Sequence, residues 1–219
     1  MEVILIAYTK GLHGEPPEKI IELAARTSYK SFSRMGEGTE KKLIKHLMKL
    51  GHFSVIEHVS ATFRVKGISR ACTHQLVRHR LASFTQQSQR YVNEQEFEYV
   101  VPDDIRNNPD AYLLFKKTMS YLSNIYKELL NKGIKKEDAR FVLPNATTSE
   151  IVISANFREW LHIIGLRVSQ EAQWEIRKLS ILFWKELFKI SPTVFHVESF
   201  LNYTDYNFKE KIFKEYVAL

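Results

Sequence analysis

From Val59 to Lys66 apolar and polar residues alternate without a break: Val59, Ala61, Phe63 and Val65 against Ser60, Thr62, Arg64 and Lys66. A period of two assigns the first set to the buried face of a strand and the second to the wet face. The start of the chain, Glu2 to Tyr8, reads as another strand. A helix then opens at Pro16 or Pro17, where proline is tolerated in the first turn, and runs toward Tyr29. A second helix is predicted over Thr39 to Leu50, stopped by Gly51, and a third over Ser69 to Val77. The Phe97/Tyr99 alternation predicts a strand across Tyr91 to Val101. Beyond it Asn108 can cap and Pro109 open a long helix, with Phe115, Met119, Leu122, Tyr126 and Leu129 at helical spacing before Gly133. Short helices are expected at Lys136 to Val142 and Phe157 to Leu166, and a strand at Glu150 to Ser154. A long helix from Glu171 to Lys189 carries Ala172, Ile176, Leu179 and Phe183 on one stripe. Helices dominate and the strands do not alternate with them as βαβ units. The expected class is therefore α+β, several long helices with a mixed or antiparallel sheet.

Composition narrows the functional classes. The 219 residues are 44% hydrophobic and 26% charged, an ordinary globular balance that excludes disorder and low complexity. No repeat, Gly/Ser linker or composition step divides the chain, so one domain over residues 1–219 is expected. The longest clean apolar run, Val3 to Ala7, is strand-sized, far below the roughly 18 residues of a membrane span. With no secretory pattern at the N-terminus, a cytoplasmic location and no membrane partner are expected. The single cysteine, Cys72, excludes a disulfide framework, a Cys-rich zinc site and a CxxC motif. Redox chemistry must then come from a bound cofactor. The eight histidines form no HExxH and no metal pair on one helix face, so no metal is expected. A net charge of +7 calls for anionic partners, either nucleic acid or phosphorylated small molecules.

The densest polar constellation is Gln75-Leu-Val-Arg78-His79-Arg80, followed by Ser83, Thr85, Gln86, Gln87, Ser88, Gln89, Arg90 and Tyr91 with few apolar interruptions. Consecutive helical residues point about 100° apart, so Arg78, His79 and Arg80 cannot share one helical face. They read as fanned around a pocket at a helix end, and the following stretch as a ligand-wrapping loop. A basic helix end with a polar surface loop is the plain alternative.

Arg78-His79-Arg80, seven residues, then Ser88 resembles the RHR-x7-S signature of the flavin-dependent thymidylate synthases, the ThyX family. The likeness extends to His52 with Glu57-His58, Arg140-Phe-Val-Leu-Pro144, Asn156-Phe-Arg158-Glu-Trp, Leu166-Arg167, and Glu171-Ala-Gln173-Trp174-Glu175-Ile176. These blocks cover most of the chain. The resemblance implies a ThyX-like single domain that methylates dUMP to dTMP. It would take carbon from 5,10-methylenetetrahydrofolate and hydride from FAD reduced by NADPH, in an active site shared between subunits of a homotetramer.

By the same resemblance, Arg167 is the catalytic cation that favours the activated, N3-deprotonated uracil. Gln75, Arg78, Gln86, Gln87, Ser88, Gln89, Arg90, Arg140 and Arg167 would hold dUMP. FAD would meet Ser54, Arg78, His79, Arg80, Gln86, Asn156, Arg158 and His162, and His52 would face the folate. Three positions depart from the family pattern: Gln86 stands where Glu is common, Thr85 where Asn is common, and His162 where some relatives carry an amide. Ser88 is read as a hydrogen-bonding group in the dUMP loop, because no adjacent residue is an obvious base. A nucleic-acid-binding protein is the competing class for a +7 chain, but no RNP, zinc-finger or helix-turn-helix signature is present. No GxGxxG occurs either, so a flavin would bind outside any Rossmann motif.

Overall fold

The computed structural model describes residues 1–203 and 205–218. In chain order the elements are β1 (Glu2–Tyr8), α1 (Pro17–Thr27), α2 (Thr39–Lys49), β2 (Ser60–Ser69), α3 (Arg70–Leu76), β3 (Ser83–Gln86), α4 (Asp103–Arg106), α5 (Pro109–Asn131), α6 (Lys136–Ala139), β4 (Thr148–Asn156), α7 (Phe157–Arg167), α8 (Trp174–Ile190) and α9 (Tyr206–Ile212). Short 3-10 turns include Phe53–His58 and Arg140–Val142. The strands form one antiparallel sheet in the order β1-β2-β4-β3, so the class is α+β. Among the described residues no helix is long and apolar enough to cross a membrane.

The chain groups into two compact units. The first comprises Met1–Glu2, Val65–Leu76 and Thr85–Ile151; the second comprises Val3–Arg64, Val77–Phe84 and Val152–Leu219. In the first unit α5 buries Met119 and Tyr126. Its start is fixed by Asn108, whose side-chain oxygen accepts from the Ala111 N–H at 3.1 Å. Gly133, at φ +83°, supplies the left-handed residue just beyond its end.

The second unit is built on aromatic packing. Phe63 of β2, Trp160 of α7 and Phe183 of α8 lie mutually 4.9–5.0 Å apart by ring centroid, all fully buried. Such pairs each add about 0.5–1.5 kcal/mol beyond the area they bury. The indole N–H of Trp160 donates to the Ala61 carbonyl at 3.1 Å, which ties α7 to β2 by a buried polar bond as well. β4 repeats the alternation of β2, with Ser149, Ile151, Ile153 and Ala155 buried. α8 starts at Trp174 rather than Glu171 because the Gln173 side chain caps it, accepting from the Glu175 and Ile176 N–H groups.

Two segments differ from expectation. Tyr91 to Val101 is not a strand; only Tyr99 pairs, in an isolated bridge to Thr147. Side chains claim the backbone before it: Asn93 accepts from the Gln95 N–H, and the Ser123 hydroxyl donates to the Gln95 carbonyl. Conversely, Ser83–Gln86, read as part of a loop, is strand β3 beside β4. Sheet pairing overrides its polar composition.

Candidate active site

Arg78, His79 and Arg80 follow the last turn of α3, where the chain has left the helix. Freed from helical periodicity, they alternate: His79 is buried and both arginines are exposed. All three line a cavity of about 910 Å³ in the second unit, with Phe53, Glu57, Asn156, Arg158, Glu159, His162 and Tyr203 among the other walls. That volume lies at the upper end of small-molecule sites. α7 supplies one wall because Arg158 and His162 are one helical turn apart. Asn156 caps this helix, its side-chain oxygen accepting from the Glu159 N–H at 2.9 Å. Arg158 is paired with Glu57, whereas among the described residues neither Arg78 nor Arg80 has an ion-pair partner. A large cavity with two uncommitted guanidinium groups fits a ligand carrying a diphosphate.

A smaller cavity of about 510 Å³ shares Arg78, His79, Arg80 and His162 and adds Val77, Leu166 and Arg167. Arg167, the last residue of α7, donates from Nε to His79 Nε2 at 3.0 Å. On its other side His79 presents Nδ1 to Glu159 Oε1 at 3.7 Å, and both residues are buried. Burial pushes the His79 pKa down to about 4, helped by the Arg167 charge and then by His162. Burial also raises the Glu159 carboxyl, against a weaker opposing pull from His162. The two therefore face each other without forming a strong ion pair.

The first unit gathers Gln75, Gln86, Gln87, Ser88, Gln89, Arg90 and Arg140. Gln75, on α3, donates to the Ala71 carbonyl. Gln86 ends β3 and donates from Nε2 to the Thr73 and Ser149 hydroxyls at 3.0 and 2.9 Å. Gln87 donates to Glu94, a carboxyl raised by burial. Ser88 Oγ accepts from the Arg90 N–H, and Gln89 is buried. Arg90 is paired with Glu137 at 2.9 Å, which raises its pKa chiefly through that hydrogen bond. Arg140 donates to the Glu137 carbonyl. Arg70 reaches the Gln87 carbonyl, and its pKa is lowered by burial and then by Arg140.

Of the expected flavin set, Arg78, His79, Arg80, Asn156, Arg158 and His162 meet at the large cavity. Ser54 lies exposed in the turn between Phe53 and Glu57, both of which line it; Gln86 belongs to the first unit. His52 is exposed and precedes that turn without capping it. Cys72 is fully buried. Sequence reasoning missed Glu159, although it sits inside the Asn156-Phe-Arg158-Glu-Trp block; its inward aim depends on helix phase. It also missed Tyr203, which no spacing or motif in the chain ties to the cavity it lines. Tyr203 packs on Gly165 so closely that a Cβ there would overlap its ring. Among the described residues no group of three or more His, Cys, Asp or Glu side chains is arranged to hold a metal ion.

A helical wall carrying Arg and His thus faces an Arg-His-Arg turn across a cavity of small-molecule size. Comparison with known proteins identifies the family. The family model described as thymidylate synthase complementing protein matches residues 5–193. The chain is 42% identical over 197 residues to a flavin-dependent thymidylate synthase of Pyrococcus furiosus, covering 85% of this chain and 78% of the relative. It is 43% identical over 201 residues to that of Pyrococcus abyssi (87% and 79%) and 41% identical over 191 to that of Geobacter sulfurreducens (84% and 82%). The chain belongs to the flavin-dependent thymidylate synthase family.

Proposed function

We propose that this chain catalyses reductive methylation of dUMP to dTMP. 5,10-Methylenetetrahydrofolate donates the carbon, NADPH-reduced FAD supplies the hydride, and subunits of a homotetramer share the active site. The balance is chemically complete: a methylene carbon plus one hydride gives a methyl group, and tetrahydrofolate leaves unoxidised. The observation that carries the reading is the large cavity, where, among the described residues, Arg78 and Arg80 stand without ion-pair partners beside Arg158.

When bound, the flavin provides the hydride; the chain's residues do the rest. Arg78, Arg80 and Arg158 bind its diphosphate, and Asn156 and His162 border it. Arg167, fixed at the smaller cavity, stabilises negative charge on the uracil ring as C5 becomes nucleophilic. Gln86 to Arg90, with Arg140, hold the nucleotide. Cys72 is fully buried and unsuited to attack uracil C6, so ring activation falls to electrostatics instead. One domain over 1–219 is part of this reading.

The test is anaerobic turnover of dUMP with all four components, assayed as dTMP. Omitting NADPH or the folate, or stripping the bound flavin from the protein, should each abolish product. Product formed without flavin, or none from the complete mixture at any enzyme concentration, overturns the proposal. Gel filtration against the 25.7 kDa monomer tests the tetramer.

A further inference from the structure

We propose that His79 is a positioning residue: its Nε2, accepting from the Arg167 Nε–H, fixes the Arg167 guanidinium at the smaller cavity. This rests on the reading that Arg167 acts on the substrate. Arg167 is the last residue of its helix, and a long side chain at such a place has many rotamers to lose. The hydrogen bond from Nε to His79 Nε2 at 3.0 Å restricts that freedom. Holding Nε also sets the orientation of the whole planar fork.

The bond imposes a condition on His79. An imidazole accepts at Nε2 only when neutral, with its proton on Nδ1. Nδ1 faces Glu159 Oε1 at 3.7 Å, with both side chains buried. The surroundings favour the neutral ring: Arg78 and Arg80 adjoin it in sequence, Arg167 touches it, and the His162 ring lies 5.7 Å away. Of the two acidic side chains lining the cavities, Glu57 is paired with Arg158 and Glu159 faces His79. A buried neutral histidine that orients the working group beside a cavity is a general means of pre-organisation.

The decisive experiment is a double-mutant cycle on kcat for dTMP formation, using His79→Phe and Arg167→Lys, since lysine lacks the Nε–H donor. His79→Phe should lower kcat, expressed per flavin bound, roughly 10- to 100-fold. The double variant should be no slower than Arg167→Lys alone. His79→Gln, whose amide oxygen sits near the position of Nε2, should restore most of the loss. Additive losses, or a Gln variant as slow as the Phe variant, overturn the proposal. A second readout does not need turnover. In chain labelled with 15N-arginine, the Arg167 Nε–H, assigned by its loss in Arg167→Lys, should exchange slowly in the unsubstituted protein and in His79→Gln, and rapidly in His79→Phe. Equal exchange in all three overturns the proposal. An unsubstituted protein that shows the slow proton but makes no dTMP contradicts the functional reading instead.

Discussion

The Arg-His-Arg turn and the Gln86–Arg90 segment are similarly polar, yet their side chains are engaged in opposite ways. In the second unit Arg78 and Arg80 face a cavity and, among the described residues, have no ion pairs, above a buried His79 that accepts a hydrogen bond from Arg167. In the first unit most of the polar groups already have a partner: Gln86 with two hydroxyls, Gln87 with Glu94, Arg90 with Glu137. The first region is held ready for a ligand; the second must exchange bonds to take one. Polar density along a chain does not distinguish these cases, because the difference lies in what the fold brings within 3 Å.

Arg167→Ala should give the largest effect, a loss of about 100- to 1,000-fold in kcat, the usual consequence of removing one charge-stabilising donor. Ser88→Ala should stay within about 10-fold of the unsubstituted rate, because its hydroxyl closes a local turn. Equal and complete loss in both variants would erase the contrast between the regions. The His79 pKa sharpens it through stability. A pKa lowered from 6.5 to about 4 means the unfolded chain binds more protons than the native one across that window. Stability therefore rises with pH from 4 to 6.5 and is lost on acidification, by on the order of 3 kcal/mol from this group. Urea titrations at intervals of pH should show that slope, and His79→Gln should flatten it.

Gly165→Ala comes next. The new methyl overlaps the Tyr203 ring and should cost about 1–3 kcal/mol in thermal or urea unfolding, with weaker flavin retention. Gln86→Glu restores the residue common in the family but removes two donated bonds. Since the Thr73 hydroxyl already donates to the Arg70 carbonyl, only one of the two hydroxyls can turn to the carboxylate freely. A loss of about 1 kcal/mol is expected in urea unfolding. Glu137→Gln should change stability least, under about 1 kcal/mol, because its pair with Arg90 is exposed. Its value is functional: with Arg90 released, the KM for dUMP should fall.

Much of the fold was legible because periodicity dictates it. The alternation at Val59 to Val65 and the stripe from Phe115 to Leu129 were readable from spacing, and β2 and α5 stand there. Tyr91 to Val101 misled because Phe97 and Tyr99 alternate while Asn93 and Ser123 remove backbone groups from any ladder. In the site, arginines were legible by type and motif. The His79–Arg167 bond was not, since it links α7 to a turn 88 residues earlier in sequence and only packing determines it.

The most direct measurement is the visible spectrum of the chain purified without added flavin, followed by titration with dUMP. The account predicts a yellow protein whose flavin bands shift as dUMP binds. A colourless protein that takes up no added FAD would contradict it, because Arg78, Arg80 and Arg158 would then line a cavity that holds no flavin.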